Sequence, residues 1–176
     1  RVSEATKAMN ILIEAKNLLV ENGIEVDIVS ASGTGTYNIT STIDGITELQ
    51  CGSYIFMDGN YLKIFDDFEP ALSVISTVIS RRDDRIVLDC GLKSISMDQG
   101  LPVVIFPKGI TFTSLSEEHS KCLITDPQNN DLKVGDKVLL RPMHGDTTIN
   151  LHDEYFVYRG DLFEESIPIV GRGKFK

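Results

Sequence analysis

The 176-residue chain is 41% hydrophobic and 24% charged, with a formal net charge of −9, which is an ordinary globular composition. The acidic excess disfavours nucleic acid and anionic membrane surfaces as partners. Because no apolar run reaches transmembrane length and no signal peptide is recognisable, we expect a cytoplasmic protein. The three cysteines are odd in number and widely spaced, which favours reduced thiols over a disulfide framework.

The first 29 residues predict a helix followed by a strand. Apolar residues recur at helical spacing from Ala5 to Leu19, Ser3 is a plausible N-cap, and Asn22-Gly23 supplies a stop. Residues 24–29 then alternate as a strand does. Such an α/β unit builds parallel sheets or barrels, in which ligands bind at the C-terminal ends of the strands.

Two glycine-containing loops follow predicted strands. Residues 30–37 read Ser-Ala-Ser-Gly-Thr-Gly-Thr-Tyr, and a strand at 47–51 leads into Gly52-Ser53. Glycines allow close backbone approach, successive N–H groups can bind an anion, and hydroxyls add neutral donors. The first loop matches neither a Walker loop nor a GxGxxG motif, and a flexible turn is the alternative. Because two neighbouring strand ends could hold one phosphate, we favour a phosphate-bearing cofactor.

The pattern changes after residue 68 to short strands without helices between them. This favours a β-barrel or sandwich domain, and we place the domain boundary near Asp66–Pro70, giving residues 1–68 and 69–176. The predicted strands are 72–80, 85–90, 103–106, 121–125, 137–141, 148–151 and 155–159.

His144 and Asp146 form a second candidate functional site, separate from the glycine-containing loops. On an extended backbone, residues i and i+2 project together. An imidazole beside a carboxylate could ligate one divalent metal, leaving positions for water and substrate, or could be a structural hydrogen-bonded pair. The donor set admits Mn²⁺ or Mg²⁺ as well as Zn²⁺. His119 is interpreted as a loop histidine in an acidic neighbourhood, with a metal ligand or base as the alternative. His152 is interpreted as part of a structural pair or turn, and Lys93 as a solvated lysine.

Five stretches in chain order resemble one known family. They are residues 32–37, 48–58, 89–93, 117–119 and 142–153, the last containing Pro-x-His-x-Asp-x-Thr-x-Asn-Leu-x-Asp. Together they resemble the C-terminal half of the D-threonine aldolase and D-serine dehydratase family, metal-activated pyridoxal phosphate enzymes with an alanine-racemase-like fold. The resemblance implies the last units of a (β/α)₈ barrel followed by a β-rich C-terminal domain, an α/β plus all-β architecture.

The resemblance also implies roles for residues. It gives pyridoxal phosphate and a divalent metal (Mn²⁺ or Zn²⁺) as cofactors, and it implies a homodimer acting on a small D-amino acid. Family members with dehydratase activity tend to carry Cys at the second metal position and aldolases Asp, so Asp146 favours aldolase cleavage to glycine and an aldehyde. The residues implied to hold phosphate are Ser32, Gly33, Thr34, Gly35, Gly52 and Ser53, and those implied to hold metal are His144 and Asp146.

Three alternatives stay open: D-serine dehydratase-like elimination, a metal-free racemase-like protein, and a non-catalytic β-barrel interaction domain. The family's Schiff-base lysine lies on the first barrel strand, and no lysine of this chain matches it. We therefore expect the chain to be a C-terminal piece that is inactive alone.

Overall fold

The computed structural model describes residues 1–127 and 131–174. The chain forms two compact units, Arg1–Ile55 with Ile64–Phe68, and Phe56–Lys63 with Glu69–Lys176. Residues 56–63 pack with the second unit although they precede the predicted boundary between residues 68 and 69, and that boundary stays a prediction.

The first unit contains one long helix and a small parallel sheet. Helix α1 (Val2–Glu21) begins directly after Arg1, so the prediction that Ser3 caps it is wrong and Ser3 lies within its first turn. Strand β1 (Ser30–Ala31) pairs in parallel with β2 (Glu48–Leu49). Helix α2 (Tyr37–Thr40) lies between them, and a 3₁₀ helix (Ser53–Ile55) follows β2.

The strand predicted at residues 24–29 does not form. Apolar and polar residues alternate here as in a strand, but among the described residues no strand pairs with them. Strand β2 is only two residues long, and both of its residues pair with β1. The carbonyl oxygen of Val29 accepts from the backbone N–H groups of Thr47 and Glu48, but its own N–H donates to the side chain of Thr47, Oγ1 at 2.8 Å, rather than to a backbone carbonyl. Pairing therefore begins at Ser30, within the segment predicted to be loop.

The second unit is built on a nearly closed barrel of six antiparallel strands in the order β5-β8-β3-β4-β7-β6. A separate antiparallel hairpin, β9–β10, lies after the short helix α3. A 3₁₀ helix (Tyr61–Lys63) precedes the barrel. The elements are β3 (Val74–Arg82), β4 (Arg85–Leu88), β5 (Val103–Phe106), β6 (Ile110–Leu115), β7 (Ser120–Ile124), β8 (Lys137–Arg141), α3 (Gly145–Ile149), β9 (Glu154–Arg159) and β10 (Leu162–Pro168).

The barrel core follows from the period-2 alternation of its strands. Alternate residues of β4 and β8 are buried while their neighbours face outward, as a pleated strand requires. The core side chains are Val78, Ile86, Leu88, Cys90, Ile95, Val104, Ile110, Phe112, Cys122, Val138 and Leu140.

One predicted strand of this unit is wrong. Residues 148–151 are not extended, because α3 occupies Gly145–Ile149 and Asn150 is its C-cap. The Thr148 hydroxyl donates to the carbonyl oxygen of His144 at 2.9 Å and accepts from the Ser96 N–H at 3.2 Å. These contacts, one of them from 52 residues away, outweigh the strand preference of the β-branched residues.

Within the described ranges, none of the helices is both long enough and apolar enough to cross a bilayer.

Candidate functional site

The two glycine-containing loops meet in the first unit. Because β1 and β2 are parallel neighbours, their C-terminal ends lie at the same edge. The backbone N–H of Tyr54 donates to Thr34 Oγ1 at 3.1 Å, which links the loop after β2 to the loop after β1. Thr34 is buried. The structure thus brings Ser32, Gly33, Thr34 and Gly35 beside Gly52 and Ser53.

The backbone of the first loop carries three N–H donors without a partner in the described residues. Ser32 has a left-handed φ of 77°, and its hydroxyl lies 3.0 Å from Thr36 Oγ1. Within the described part of the chain, no acceptor takes the N–H groups of Gly33, Thr34 and Gly35. Since partly buried N–H groups are rarely left unpaired, these donors fit an anionic group such as a phosphate.

The space beside the loop glycines is open. A Cβ placed on Gly33 or Gly52 would have no heavy atom within 4 Å, and neither residue has the positive φ that would itself require glycine. Packing and backbone conformation within the chain therefore give no reason for glycine at these positions. A ligand lying against the backbone would use this room, and the N–H groups and hydroxyls of the two loops fit a phosphate.

His144 and Asp146 come together in the second unit, although the backbone differs from the one predicted. His144 is extended, with φ −138° and ψ 113°, and is the N-cap of α3, whereas Asp146 lies in the first helical turn. The prediction that both project from one extended segment is therefore wrong. The side chains nevertheless meet, with His144 Nε2 at 3.8 Å from Asp146 Oδ2.

Asp98 contacts the other nitrogen of the same imidazole. Its Oδ2 lies 2.7 Å from His144 Nδ1, and its Oδ1 accepts from Ser96 Oγ at 2.8 Å and from Thr147 Oγ1 at 3.1 Å. Burial acts to raise the pKa of Asp98, but the hydrogen bonds from His144, Ser96 and Thr147 outweigh it and lower that pKa. Sequence reasoning missed Asp98, because it lies 46 residues from His144 and no local motif joins them.

Asp58 holds the backbone between the two candidate ligands. It is only 1% exposed, and its Oδ2 accepts from the N–H of Gly145 at 3.0 Å. Its Oδ1 accepts from the N–H groups of Asn60 at 3.0 Å and Tyr61 at 2.9 Å. Asp58 ends the second of the five sequence stretches, but its role was not recognised from the sequence.

The remaining singled-out residues have contacts outside this cluster. Lys93 is exposed and forms an ion pair with Glu118. The Nε2 atom of His152 lies 2.7 Å from the carbonyl oxygen of Ser94. The carbonyl oxygen of His119 accepts from the N–H of Ser116 at 2.8 Å in the turn before β7.

A divalent metal fits the His144–Asp146 pair. Two ligand atoms 3.8 Å apart can both reach an ion at roughly 2.1 Å, since their separation is less than twice that distance. With Nδ1 held by Asp98, Nε2 is the nitrogen left for an ion. Among residues 1–127 and 131–174, no group of three or more His, Cys, Asp or Glu side chains could hold a metal. His144 and Asp146 are two candidate ligands.

Comparison with known proteins gives one family match and several relatives. Residues 71–158 match the sequence model of a family described as "Putative serine dehydratase domain". The chain is 37% identical over 171 residues to a 3-hydroxy-D-aspartate aldolase of Paracoccus denitrificans, covering 92% of the chain and 43% of that protein. It is 36% identical over 178 residues to a D-threonine aldolase of an Arthrobacter species, covering 98% and 47%.

Solved structures show the same fold. A D-threonine aldolase from Filomicrobium marinum superposes with a TM-score of 0.91 at 31% identity, covering all of this chain and 50% of that one. An alanine racemase-like protein from Idiomarina loihiensis superposes with a TM-score of 0.76 at 25% identity, covering 88% and 46%. These neighbours confirm the predicted fold class, and the chain spans about half the length of the curated relatives it matches.

Proposed function

The chain belongs to the serine dehydratase domain family, and from that premise we propose that it is the C-terminal part of a lyase acting on D-β-hydroxy amino acids. We propose pyridoxal phosphate and a divalent metal, Mn²⁺ or Zn²⁺, as its cofactors. The observation that carries the proposal is the His144–Asp146 pair, whose Nε2 and Oδ2 lie 3.8 Å apart while Asp98 holds the opposite ring nitrogen. The relatives named as aldolases support it over the matched region.

The residues of this chain would bind and orient the reacting groups. When bound, pyridoxal phosphate supplies an electron sink at Cα and the metal a Lewis acid for the β-hydroxyl. The N–H groups of Gly33, Thr34 and Gly35 would hold the phosphate without a lysine. His144 Nε2 and Asp146 would hold the metal and leave positions for the substrate. The Schiff-base lysine would come from outside residues 1–176.

We favour aldol cleavage of Cα–Cβ over β-elimination. A carboxylate stands at position 146, where the family resemblance associates aspartate with aldolases and cysteine with dehydratases. The relatives that match over most of the chain are named as aldolases, whereas the family description names a dehydratase. Products separate the two reactions: D-threonine would give glycine and acetaldehyde by cleavage, but 2-oxobutanoate and ammonia by elimination.

The decisive experiment replaces Asp146 in the intact protein. We expect Asp146→Ala to abolish metal-dependent cleavage of D-threonine while the absorbance of the bound cofactor is retained, because the carboxylate binds the metal and not the phosphate. Asp161→Ala, at an exposed position in the turn between β9 and β10, is the matched control and should keep wild-type activity. Full activity of Asp146→Ala in the presence of a chelator would contradict the metal-dependent proposal.

Location and assembly are further parts of the proposal. The three cysteines are free, which supports a reducing compartment, and we place the protein in the cytoplasm. We propose that the intact protein is a homodimer acting on a small D-amino acid.

A further inference from the structure

The hydrogen bonds around Asp98 fix which atoms donate. Ser96 Oγ accepts from the Asp98 backbone N–H at 3.3 Å, so its own proton is directed to Asp98 Oδ1 at 2.8 Å. Thr147 Oγ1 donates to the same oxygen at 3.1 Å. Oδ1 is therefore occupied by two hydroxyls, and Oδ2 is the oxygen that faces the imidazole.

The second oxygen of Asp98 selects which ring nitrogen of a neutral His144 carries the hydrogen. An ionised carboxylate can only accept, so at 2.7 Å from Oδ2 the Nδ1 atom must carry a proton. In the neutral imidazole the other nitrogen, Nε2, then carries the lone pair. Nε2 is the nitrogen that faces Asp146.

The segment that carries Asp98 is attached to α3 independently of this imidazole contact. The N–H of Ser96 donates to Thr148 Oγ1 at 3.2 Å, and that hydroxyl donates to the carbonyl oxygen of His144 at 2.9 Å. His152 Nε2 meets the carbonyl oxygen of Ser94 at 2.7 Å. Loss of the Asp98 carboxylate therefore leaves several bonds that keep both segments in place.

We infer that Asp98 is a positioning residue that holds His144 in the Nδ1–H tautomer, with the Nε2 lone pair directed toward Asp146 so that the two side chains can bind one divalent cation. The inference rests on the proposed function, since it names what prepares the same site. Asp98 does not reach the ion itself: its contact is to the nitrogen on the far side of the ring. A carboxylate in this position fixes the ring orientation and raises the basicity of the ligating nitrogen.

Replacing Asp98 by asparagine is expected to change which nitrogen of His144 carries the hydrogen. The two hydroxyls donate to the Oδ1 position, so the amide oxygen would stay there and the amide NH₂ would face His144. An NH₂ group donates, so Nδ1 would become the acceptor and Nε2 would carry the proton. Asp98→Asn therefore inverts the tautomer, whereas Asp98→Ala merely leaves it unselected.

The test measures Mn²⁺ and Zn²⁺ affinity of the intact protein by competition with a chelator. We expect the dissociation constants of Asp98→Ala and Asp98→Asn to rise about 10- to 100-fold, with the Asn variant at least as weak as the Ala variant. Asp89→Asn is the matched control, since the Asp89 carboxylate, like that of Asp98, accepts from a serine hydroxyl in the second unit, at 2.7 Å, but does not contact His144. Its metal affinity should stay within about twofold of wild type.

A second readout needs no metal. Nitrogen NMR of histidine-labelled, metal-free protein, with the His144 signals identified by their loss in His144→Gln, should show Nε2 unprotonated in the wild type and protonated in Asp98→Asn. This measurement decides the question even if Asp98→Ala fails to fold.

The outcomes separate this inference from the proposed function. If both Asp98 variants bind metal within twofold of wild type while His144→Gln loses it, the positioning role is wrong and the metal site stands. An unchanged His144 tautomer in Asp98→Asn overturns the inference as well. If His144→Gln binds metal as tightly as wild type, the metal site is wrong and the inference falls with it.

Discussion

Asp58 is a single buried side chain that determines the backbone course of the candidate metal pair. Its two oxygens accept three backbone N–H groups, two from its own segment and one from Gly145. Gly145 lies between His144 and Asp146, so this bond fixes the point where the extended backbone turns into α3. Asp98 thus holds the imidazole ring of His144, and Asp58 holds the backbone between His144 and Asp146.

Replacing Asp58 should destabilise the second unit. In Asp58→Asn, one amide end cannot accept, so at least one of these three N–H groups loses its partner, which costs about 1–3 kcal/mol. We expect the free energy of unfolding to fall by that amount in urea titrations followed by circular dichroism. Asp161→Asn, in an exposed turn, should change it little. Equal stability of the two variants would show that the lost hydrogen bond contributes nothing to stability.

At the scale of elements, the barrel strands were the most predictable feature. The predicted bounds of β5 and β8 agree with the structure, because their alternation is strong and turn residues flank them. Strands β6 and β10 were not predicted, although Ile110–Leu115 also alternates. Helix α3 was missed for a different reason: its conformation depends on contacts with residues 58, 96 and 98, which no local pattern contains.

The candidate site was predictable in its residues more than in its geometry. The glycine loops and the His144–Asp146 pair were recognised by residue type, and the structure brings the members of each set together. Asp58 and Asp98 were not recognised, since an isolated Asp has no local signature and their partners lie 87 and 46 residues away.

The loops after β1 and β2 yield a prediction that separates folding from binding. Because a Cβ on Gly52 meets no atom within 4 Å, Gly52→Val should fold as the wild type does. The same side chain would occupy the space proposed for the phosphate, so the affinity of the intact protein for pyridoxal phosphate should fall at least tenfold. Absorbance titration measures the affinity and thermal unfolding measures the fold.

Gly171→Val provides the comparison for that experiment. Gly171 also has open space around it and no positive φ, and it lies outside both loops. It should leave cofactor affinity unchanged. Cofactor binding by Gly52→Val at wild-type strength would remove the loop from the proposed phosphate site.

At the scale of the whole molecule, the three cysteine thiols differ in how deeply they are buried. Cys90 and Cys122 lie in the barrel core, and burial, with Cys90 nearby, raises the pKa of Cys122 to about 12. Burial also raises the pKa of Cys90 despite its hydrogen bond from Ser94. Cys51 is only partly buried.

We therefore expect native-state alkylation to modify Cys51 alone among these three. The thiolate is the reactive form, and at neutral pH it is scarce at both core positions. Peptide mapping by mass spectrometry after iodoacetamide treatment checks this, with full labelling in urea as the reference. Rapid labelling of Cys122 in the native protein would contradict its burial in the barrel core.

The assignment of residues 56–63 to the second unit has a consequence for dividing the gene. The Gly59 N–H donates to the carbonyl oxygen of Pro142 at 2.9 Å, and the carbonyl oxygen of Phe56 accepts from the N–H of Ala71 at 2.9 Å. A fragment expressed from residue 69 onward would lack these partners and would leave the Gly145 N–H without the Asp58 carboxylate. We therefore expect a fragment that starts at residue 56 to keep these contacts, whereas one that starts at residue 69 loses them.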